Sequence, residues 1–406
     1  MSGLLLAAAL LAQPQQPDWI VARAYNAHGI LRGHLATYRP STGAWTTLVA
    51  STREGIWYEA VTHYTDNSIV LTSRVEAGVC TLVGVAPSGG NAPVAAIRGQ
   101  SLRSIVQDED GAWACPVRNA FLSPLLLRAD AGGTVTTLIP AVGALFSECA
   151  GLDPESGDYL VAGWDGTLNV THLLRHGRRT GATTTLASLP GRVVGLDHDP
   201  ARNRHLVVRN NLDLLAVGPT GQVTILNAAI PYLTTVRVDV VTGNIAVGTL
   251  TGSVHFLDSA GVRLGGTADD VLQVMGIEQL GSRRVSAVGV GVPGSTVNVS
   301  FSFPRAPGRP YVAALSTGLR PGIALGDGRV LSLDATSPLF AASLGGLAGV
   351  TTGFAGTLDG LGRAAGTVLV LPGLPAGTRL FVSAVALDPA LPLGVELGNT
   401  SGFTTN

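Results

Sequence analysis

The chain has 406 residues, enough for two or three domains with their own cores. Only 13% of its residues are charged and the net charge is −1, so no global field draws it to nucleic acid or anionic lipid. Gly contributes 53 residues and Pro 23, and every one of the 26 basic residues is Arg; this mixture suits short strands and tight turns and argues against long helices.

The chain opens on an apolar segment, Leu4 to Ala12, which runs into Gln13-Pro14-Gln15-Gln16-Pro17. That is the length of a signal-peptide core with a small residue at the cut, although no basic residue precedes it. Residues 1–17 are therefore expected to be a signal peptide, and the protein to be secreted, periplasmic or on the cell surface. No later apolar run approaches the ~18–20 residues of a spanning helix, so no transmembrane segment is expected.

From residue 18 a recurring unit begins: an apolar strand stops at Gly or Asn and a second strand follows at once. The instances are VTHYTDNSIVL (61–71), VQDEDGAWAC (106–115), LDPESGDYLV (152–161), LDHDPARNRHLVV (196–208), VDVVTGNIAVG (238–248) and IEQLGSRRVSAV (277–288). Their turn residues Asn67, Gly111, Gly157, Asn203, Gly243 and Gly281 are 44, 46, 46, 40 and 38 residues apart. Gly and Asn tolerate the positive φ that a tight hairpin requires. A period of this size with several strands per unit is the spacing of a β-propeller.

Within one unit the strands read as 102–107, 112–118, 124–129 and 134–139, and within another as 193–199, 205–210, 212–218 and 222–228. The first unit offers only 19–25, 34–39 and 45–50 and lacks an innermost strand. Residues 271–278 supply an innermost strand with no complete blade after it. Joining the two gives a composite blade and six blades in all, with no open edge. The rival count is seven, with 284–291 and 296–303 completing a last blade.

Beyond about residue 285 the regular turn spacing stops, and PRAPGRP (304–310) makes a break. Short strands follow at 311–316, 329–333, 338–344, 354–359, 364–371 and 379–387, the pattern of a β-sandwich. The expected fold is thus all-β: a six-bladed, alternatively seven-bladed, β-propeller over 18–284 and a C-terminal β-sandwich over 285–406.

LDPESGDYLV (152–161) and VDVVTGNIAVG (238–248) resemble segments of the NHL-like, SMP-30-like and YVTN-like propellers, a likeness that extends over most of 18–281. These relatives include calcium-dependent lactonases, lyases and pure binding scaffolds, so the resemblance implies a fold without choosing an activity. VPGSTVNVSFSFP (292–304) and LDGLGRAAGTVLVLPGLPAGTRLFVSAVALDP (358–389) resemble the β-rich C-terminal modules of secreted, multi-domain bacterial proteins. That resemblance implies export and a surface or sorting role.

The candidate chemistry is sparse. Asp153, Asp197 and Asp239 stand before turns, where Asp caps local backbone amides more often than it binds metal. His198 lies between Asp197 and Asp199, but strand neighbours point to opposite faces, so a polar turn is the expected setting. His172 and His176 have the i,i+4 spacing of a helical zinc motif, but HLLRH reads as an outer strand and lacks the Glu. Gly289-Val290-Gly291-Val292-Pro293-Gly294 matches G-x-G-x-x-G on paper, yet a strand follows it where a dinucleotide loop needs a helix. Trp164-Asp165 is a single W-D dipeptide, whereas a WD40 array would repeat it. Cys80, Cys115 and Cys149 lack metal spacing and are expected as buried thiols, with a Cys115–Cys149 bridge the one pairing considered.

A propeller site would be built from the loops joining one blade to the next and the second strand to the third. Those loops carry Glu54, Trp57, Arg103, Arg118, Asn119, Trp164, Asp165, Arg209, Asn210 and Tyr232, with Glu148 among them. Aromatic planes with forked Arg donors and amides suit a small polar ligand or the loop of a protein partner. The expected function is therefore binding or interaction by a monomer, with the ligand at the mouth of the central channel and no cofactor. The alternatives are a metal-assisted lactonase or lyase and a structural cell-surface protein. Calcium wants several converging oxygens, and only Glu54, Glu59, Glu148 and Asp165 are at hand to supply them.

Overall fold

The computed structural model describes residues 18–27, 30–50, 56–63, 70–76, 79–85, 91–98, 102, 104–117, 124–210, 213–267, 272–279, 284–289 and 291–406. The chain divides into two compact units, one of Asp18–Tyr38 with Gly43–Leu280, the other built on Gly281–Asn406.

The first unit repeats one motif, an antiparallel sheet of four sequence-adjacent strands. One sheet runs Leu145–Leu152, Tyr159–Asp165, Val170–His176, Thr183–Pro190, and the next Val193–Asp199, Arg204–Arg209, Leu214–Val217, Val223–Asn227. A third runs Leu233–Val238, Ile245–Thr249, Val254–Leu257, Arg263–Gly266, and a shorter one spans 106–139. Strands Ile56–His63, Val70–Glu76, Val79–Val85 and Asn91–Arg98 form a further run. A single parallel pair, Arg32 with Ile56, links that run to the N-terminal strands.

The strands expected at 193–199 and 134–139 fall at Val193–Asp199 and Val135–Ile139. Each described turn between first and second strands holds its positive-φ residue: Gly111 at 83°, Gly157 at 75°, Asn203 at 48° and Gly243 at 72°. Asn67 and Gly281 lie outside the described residues. The repeat is marked a second time by a bulge between third and fourth strands, at Leu82/Val83, Leu126/Leu127, Leu173/Leu174, Leu214/Leu215 and Phe256/Leu257. Each bulge turns the outermost strand and sharpens the sheet twist.

Strand Trp19–Ala27 has two partners, Ile30–Arg39 on one side and the distant Gln273–Gln279 on the other. The register of the latter runs from Trp19 opposite Gln279 to Ala24 opposite Gln273.

The apolar cores lie between consecutive sheets. Val161 and Leu174 pack with Leu126 and Ile139 of the sheet before, Leu160 and Leu173 with Val207 and Leu215 of the sheet after. Leu206 packs with Val236 and Val247, and Phe256 with Trp19 and Tyr38. Ile20 and Leu35 in turn pack with Tyr58 and Val83, and Leu82 with Trp113. Polar bonds reinforce the same contacts: the Val238 amide donates to Asp197 Oδ2 at 2.7 Å, the Ala150 amide to Ser104 Oγ at 2.7 Å, and Thr234 Oγ1 to Val274 O at 2.6 Å.

In the second unit, Val285–Val288, Thr296–Ser302, Arg363–Leu369 and Thr351–Thr352 make one antiparallel sheet. Ala355–Thr357, Pro310–Ser316 and Arg379–Leu387 make the other, with Val395–Leu397 and Ser401–Thr404 both pairing with Arg379–Leu387. One core containing Val297, Phe301, Phe354, Val382 and Phe403 joins the two sheets.

The strand expected at 338–344 is instead a short helix, Pro338–Ser343. Pro at its first turn presets φ, and Leu-Phe-Ala-Ala are helix-tolerant residues whose apolar run says nothing about period over so few positions. HLLRH lies on the third strand of its sheet, Val170–His176.

Candidate functional site

At one end of the first unit, the connections between sheets meet the loops joining second and third strands. The Gly191 amide donates to Asn169 O at 2.7 Å, the Asn210 amide to Arg192 O at 2.7 Å, and the Leu250 amide to Tyr232 O at 2.9 Å. Asn169 and Tyr232 hold positive φ of 52° and 59° there. These backbone bonds fix which side chains become neighbours.

Arg192 is the centre of that neighbourhood. It occupies the two-residue link before Val193–Asp199, and its Nη2 donates to Glu148 Oε2 at 2.7 Å. The Glu148 side chain is fully buried, at 0% exposure, and that of Arg192 is 18% exposed. The guanidinium carbon lies 5.1 Å from the centroid of the Trp164 ring, and Phe146 lies 5.9 Å from the same ring, tilted by 41°. A cation over an aromatic face gains most when partly desolvated, as this one is. Arg192 Nε and Trp164 Nε1 are buried and have no hydrogen-bond partner among the described residues. A partly exposed aromatic plane beside a guanidinium that a buried carboxylate fixes forms a recognition surface for a polar group.

The residues singled out from the loops divide sharply. Glu54, Arg103, Arg118 and Asn119 lie outside the described residues, and Trp57 is placed only as a position on Ile56–His63, opposite Val75. Trp164 joins the Arg192 cluster. Asp165 caps its own turn, its Oδ1 accepting from the Thr167 and Leu168 amides at 2.8 and 3.0 Å. Arg209 donates from Nε to Asp213 Oδ1 at 2.7 Å, from Nη2 to Asp213 Oδ2 and from Nη1 to Pro190 O at 2.9 Å. Asn210 is half-buried and Tyr232 is 47% exposed. Arg192 and Phe146 escaped the loop reading, because the link Gly191-Arg192 is too short to look like a loop and Phe146 lies within a strand.

The turn aspartates need one correction. Asp153 and Asp239 each cap their hairpins, Asp153 Oδ1 accepting from the Glu155 amide and Asp239 Oδ1 from the Val241 amide at 3.0 Å. Asp108 does the same through the Asp110 and Ala112 amides. The matching residue in the next sheet is Asp199, which accepts from Arg202 and Arg204, and not Asp197. Asp197 lies earlier on the strand, where it binds the Val238 amide and, at 3.3 Å, Arg237, which also reaches Glu278. Burial pushes the Asp197 carboxyl above its usual range, with Arg237 pulling the other way.

His172, His176, His198 and His205 are each committed to neighbours. His172 and His176 bond Ser188 and Thr183 separately, at 2.9 Å each. His198 and His205, both buried, face each other across the strand pair with Nδ1 atoms 3.0 Å apart. Burial pushes His205 down to about 4. Cys80, Cys115 and Cys149 are buried thiols; Cys115 shares a core with Cys80 and not with Cys149, and burial, with Cys80 adding to it, raises its thiol. Gly289-Val290-Gly291-Val292-Pro293-Gly294 lies between strands Val285–Val288 and Thr296–Ser302, where no helix follows. Among the described residues no group of three or more His, Cys, Asp or Glu is arranged to hold a metal ion, and none of the helices is long and apolar enough to cross a membrane.

The repeated four-stranded antiparallel sheets define an all-β, propeller-like protein. Its fold is similar to that of TolB from Acinetobacter baumannii, with a TM-score of 0.51 over 66% of this chain and 68% of that one, at 12% sequence identity. No family model matches the sequence, and no curated protein matches it.

Proposed function

We propose that this chain is an exported binding or interaction protein, a six-bladed β-propeller over 18–284 and a β-sandwich over 285–406 behind a signal peptide at 1–17. The count of six draws support from the cores, which pass from sheet to sheet and return from Phe256 to Trp19. It also draws support from Val285–Val288 and Thr296–Ser302, which pair with each other and with Arg363–Leu369. Gln273–Gln279 then serves as the innermost strand of a composite blade. Kinship with NHL-like propellers rests on the turn motif alone. A secreted, periplasmic or surface location follows from the N-terminal segment, and a monomer is the state proposed.

One observation carries the binding reading: Trp164 and Arg192 offer a partly exposed aromatic plane with a cation over it, held by the buried Glu148. A small polar ligand, or the polar tip of a partner's loop, would stack on the ring and meet the exposed part of the Arg192 guanidinium at the mouth of the channel. The test is a screen of monosaccharides, hydroxy acids and short peptides, read from the indole N–H resonances. A bound compound should move the Trp164 resonance, and Trp164→Ala should weaken it at least tenfold, about 1.4 kcal/mol. A compound that binds the 18–280 unit with equal affinity in that variant would defeat this assignment.

A further inference from the structure

The second unit carries a cavity that the reading above does not use. The Pro310–Ser316 and Arg379–Leu387 strands send Leu315 and Val382 into the main core on one face, and Val312, Ala314 and Val385 to the other. A hairpin over 323–331 and the Pro338–Ser343 helix are laid across that second face. Between cover and sheet remains a pocket of about 250 Å³.

No polar atom faces this pocket. Ser383 lies on its wall, but its hydroxyl is donated to Asn399 O at 2.9 Å. Apolar side chains from both layers, Leu331, Leu333 and Phe340 above and Ala314 and Val385 below, make the surface, and Leu344 on the lining is 55% exposed. An apolar hollow open to water should collapse, because closing it removes hydrocarbon from solvent. Here the cover is tied down at its margins. Arg329 Nη1 donates to Val395 O at 2.7 Å while its Nε holds Asp327 at 2.7 Å. Thr400 Oγ1 donates to Ser332 O at 2.7 Å, and the Leu315 amide donates to Ser343 Oγ at 2.7 Å. The layers are held by polar bonds around the rim and by a small cluster of Ala314, Leu319, Leu333 and Phe381, which leaves the hollow beside it unfilled, with the small Ala314 in the floor.

We propose that this pocket is a binding site for the end of an aliphatic chain, belonging to a soluble amphiphile whose polar head remains in solvent. The size fits, since an apolar protein cavity of roughly 150 Å³ already admits benzene. The chemistry fits as well. With no hydrogen-bonding atom or counter-charge on the wall, a polar head gains nothing by entering, whereas each methylene leaves water.

The test uses the full chain with labelled Ile, Leu and Val methyl groups, titrated with n-octanol. Saturable shifts should concentrate on Val312, Leu331, Leu333 and Val385 and leave the methyls of 18–280 in place. Ala314→Leu should fill the floor and weaken octanol at least tenfold with the rest of the spectrum retained. If that variant does not fold, Val312→Phe at the rim is expected to have the same effect. Absence of saturation at the solubility limit in folded protein, shifts spread evenly over both units, or unchanged affinity in the folded variant would each overturn the site. Phosphatidylcholine vesicles form a separate arm: flotation that Ala314→Leu abolishes would replace the soluble amphiphile with a membrane lipid.

Discussion

His205 illustrates how burial, against the pull of Asp153 and helped by Arg175, sets a residue's behaviour. With its pKa near 4 in the fold, against about 6.5 in an unfolded chain, the unfolded state binds the proton first as pH falls. Stability from this group is therefore complete above about pH 6.5 and is lost as pH drops toward 4, by up to ~3 kcal/mol. Urea midpoints at pH 7.5, 5.5 and 4.5 should fall steeply in the wild type and less steeply in His205→Leu. Equal slopes would show that His205 does not govern the loss. Tyr159 offers a second case at the same scale. Its hydroxyl donates to the buried Asp108 at 2.8 Å, and Arg128 Nε donates to the same oxygen at 2.7 Å. Tyr159→Phe should cost about 1–1.5 kcal/mol in denaturant unfolding, because Arg128 still satisfies Asp108. Asp108→Ala should cost more, since it also frees two turn amides. None of these partnerships was legible in the sequence, because they join residues 20 and 51 positions apart or bring two histidines face to face in a register that spacing does not specify.

The hairpin turns, by contrast, were legible, because their chemistry is local. A residue that must hold positive φ can be recognised from its own type and from the strands beside it, and the four described turns conform. Gly157→Ala and Gly243→Ala should each destabilise by about 1–2 kcal/mol, and Asn203→Gly should change little, as judged by urea midpoints. If the two alanine variants match wild type, the turns do not depend on left-handed backbone. Local signals misled where two patterns overlapped. LDHDP contains two aspartates, and aligning its first with that of LDPES puts Asp197 in the place that Asp199-Pro200 fills. The helix at Pro338–Ser343 is ambiguous for a related reason: five apolar residues and a serine fit either period, and only the surrounding layers decide. At the Arg192 site the aromatic partner could be found in the loops, whereas the cation could not, because the link that carries it spans only Gly191 and Arg192.

At the level of the whole molecule, the pairing of Trp19–Ala27 with Gln273–Gln279 carries the greatest structural weight in the first unit. Without it, both strands expose a full row of amides and carbonyls. Removing residues 18–27 should therefore cost far more than a terminal trimming usually does: loss of cooperative unfolding, and aggregation visible in gel filtration. A monomeric, cooperatively melting truncation would mean the remaining sheets hold together unaided. The same strand pair also governs when the protein can become itself. Trp19–Ala27 can pair with Ile30–Arg39 as soon as both are made, but its other partner, Gln273–Gln279, is synthesised about 250 residues later, so one edge of the strand stays open in the meantime. Maturation is bound to be slow and late, as expected for a topology dominated by distant pairings. Until then, the nascent chain keeps one strand edge on offer to whatever chaperone, or neighbouring copy, meets it first.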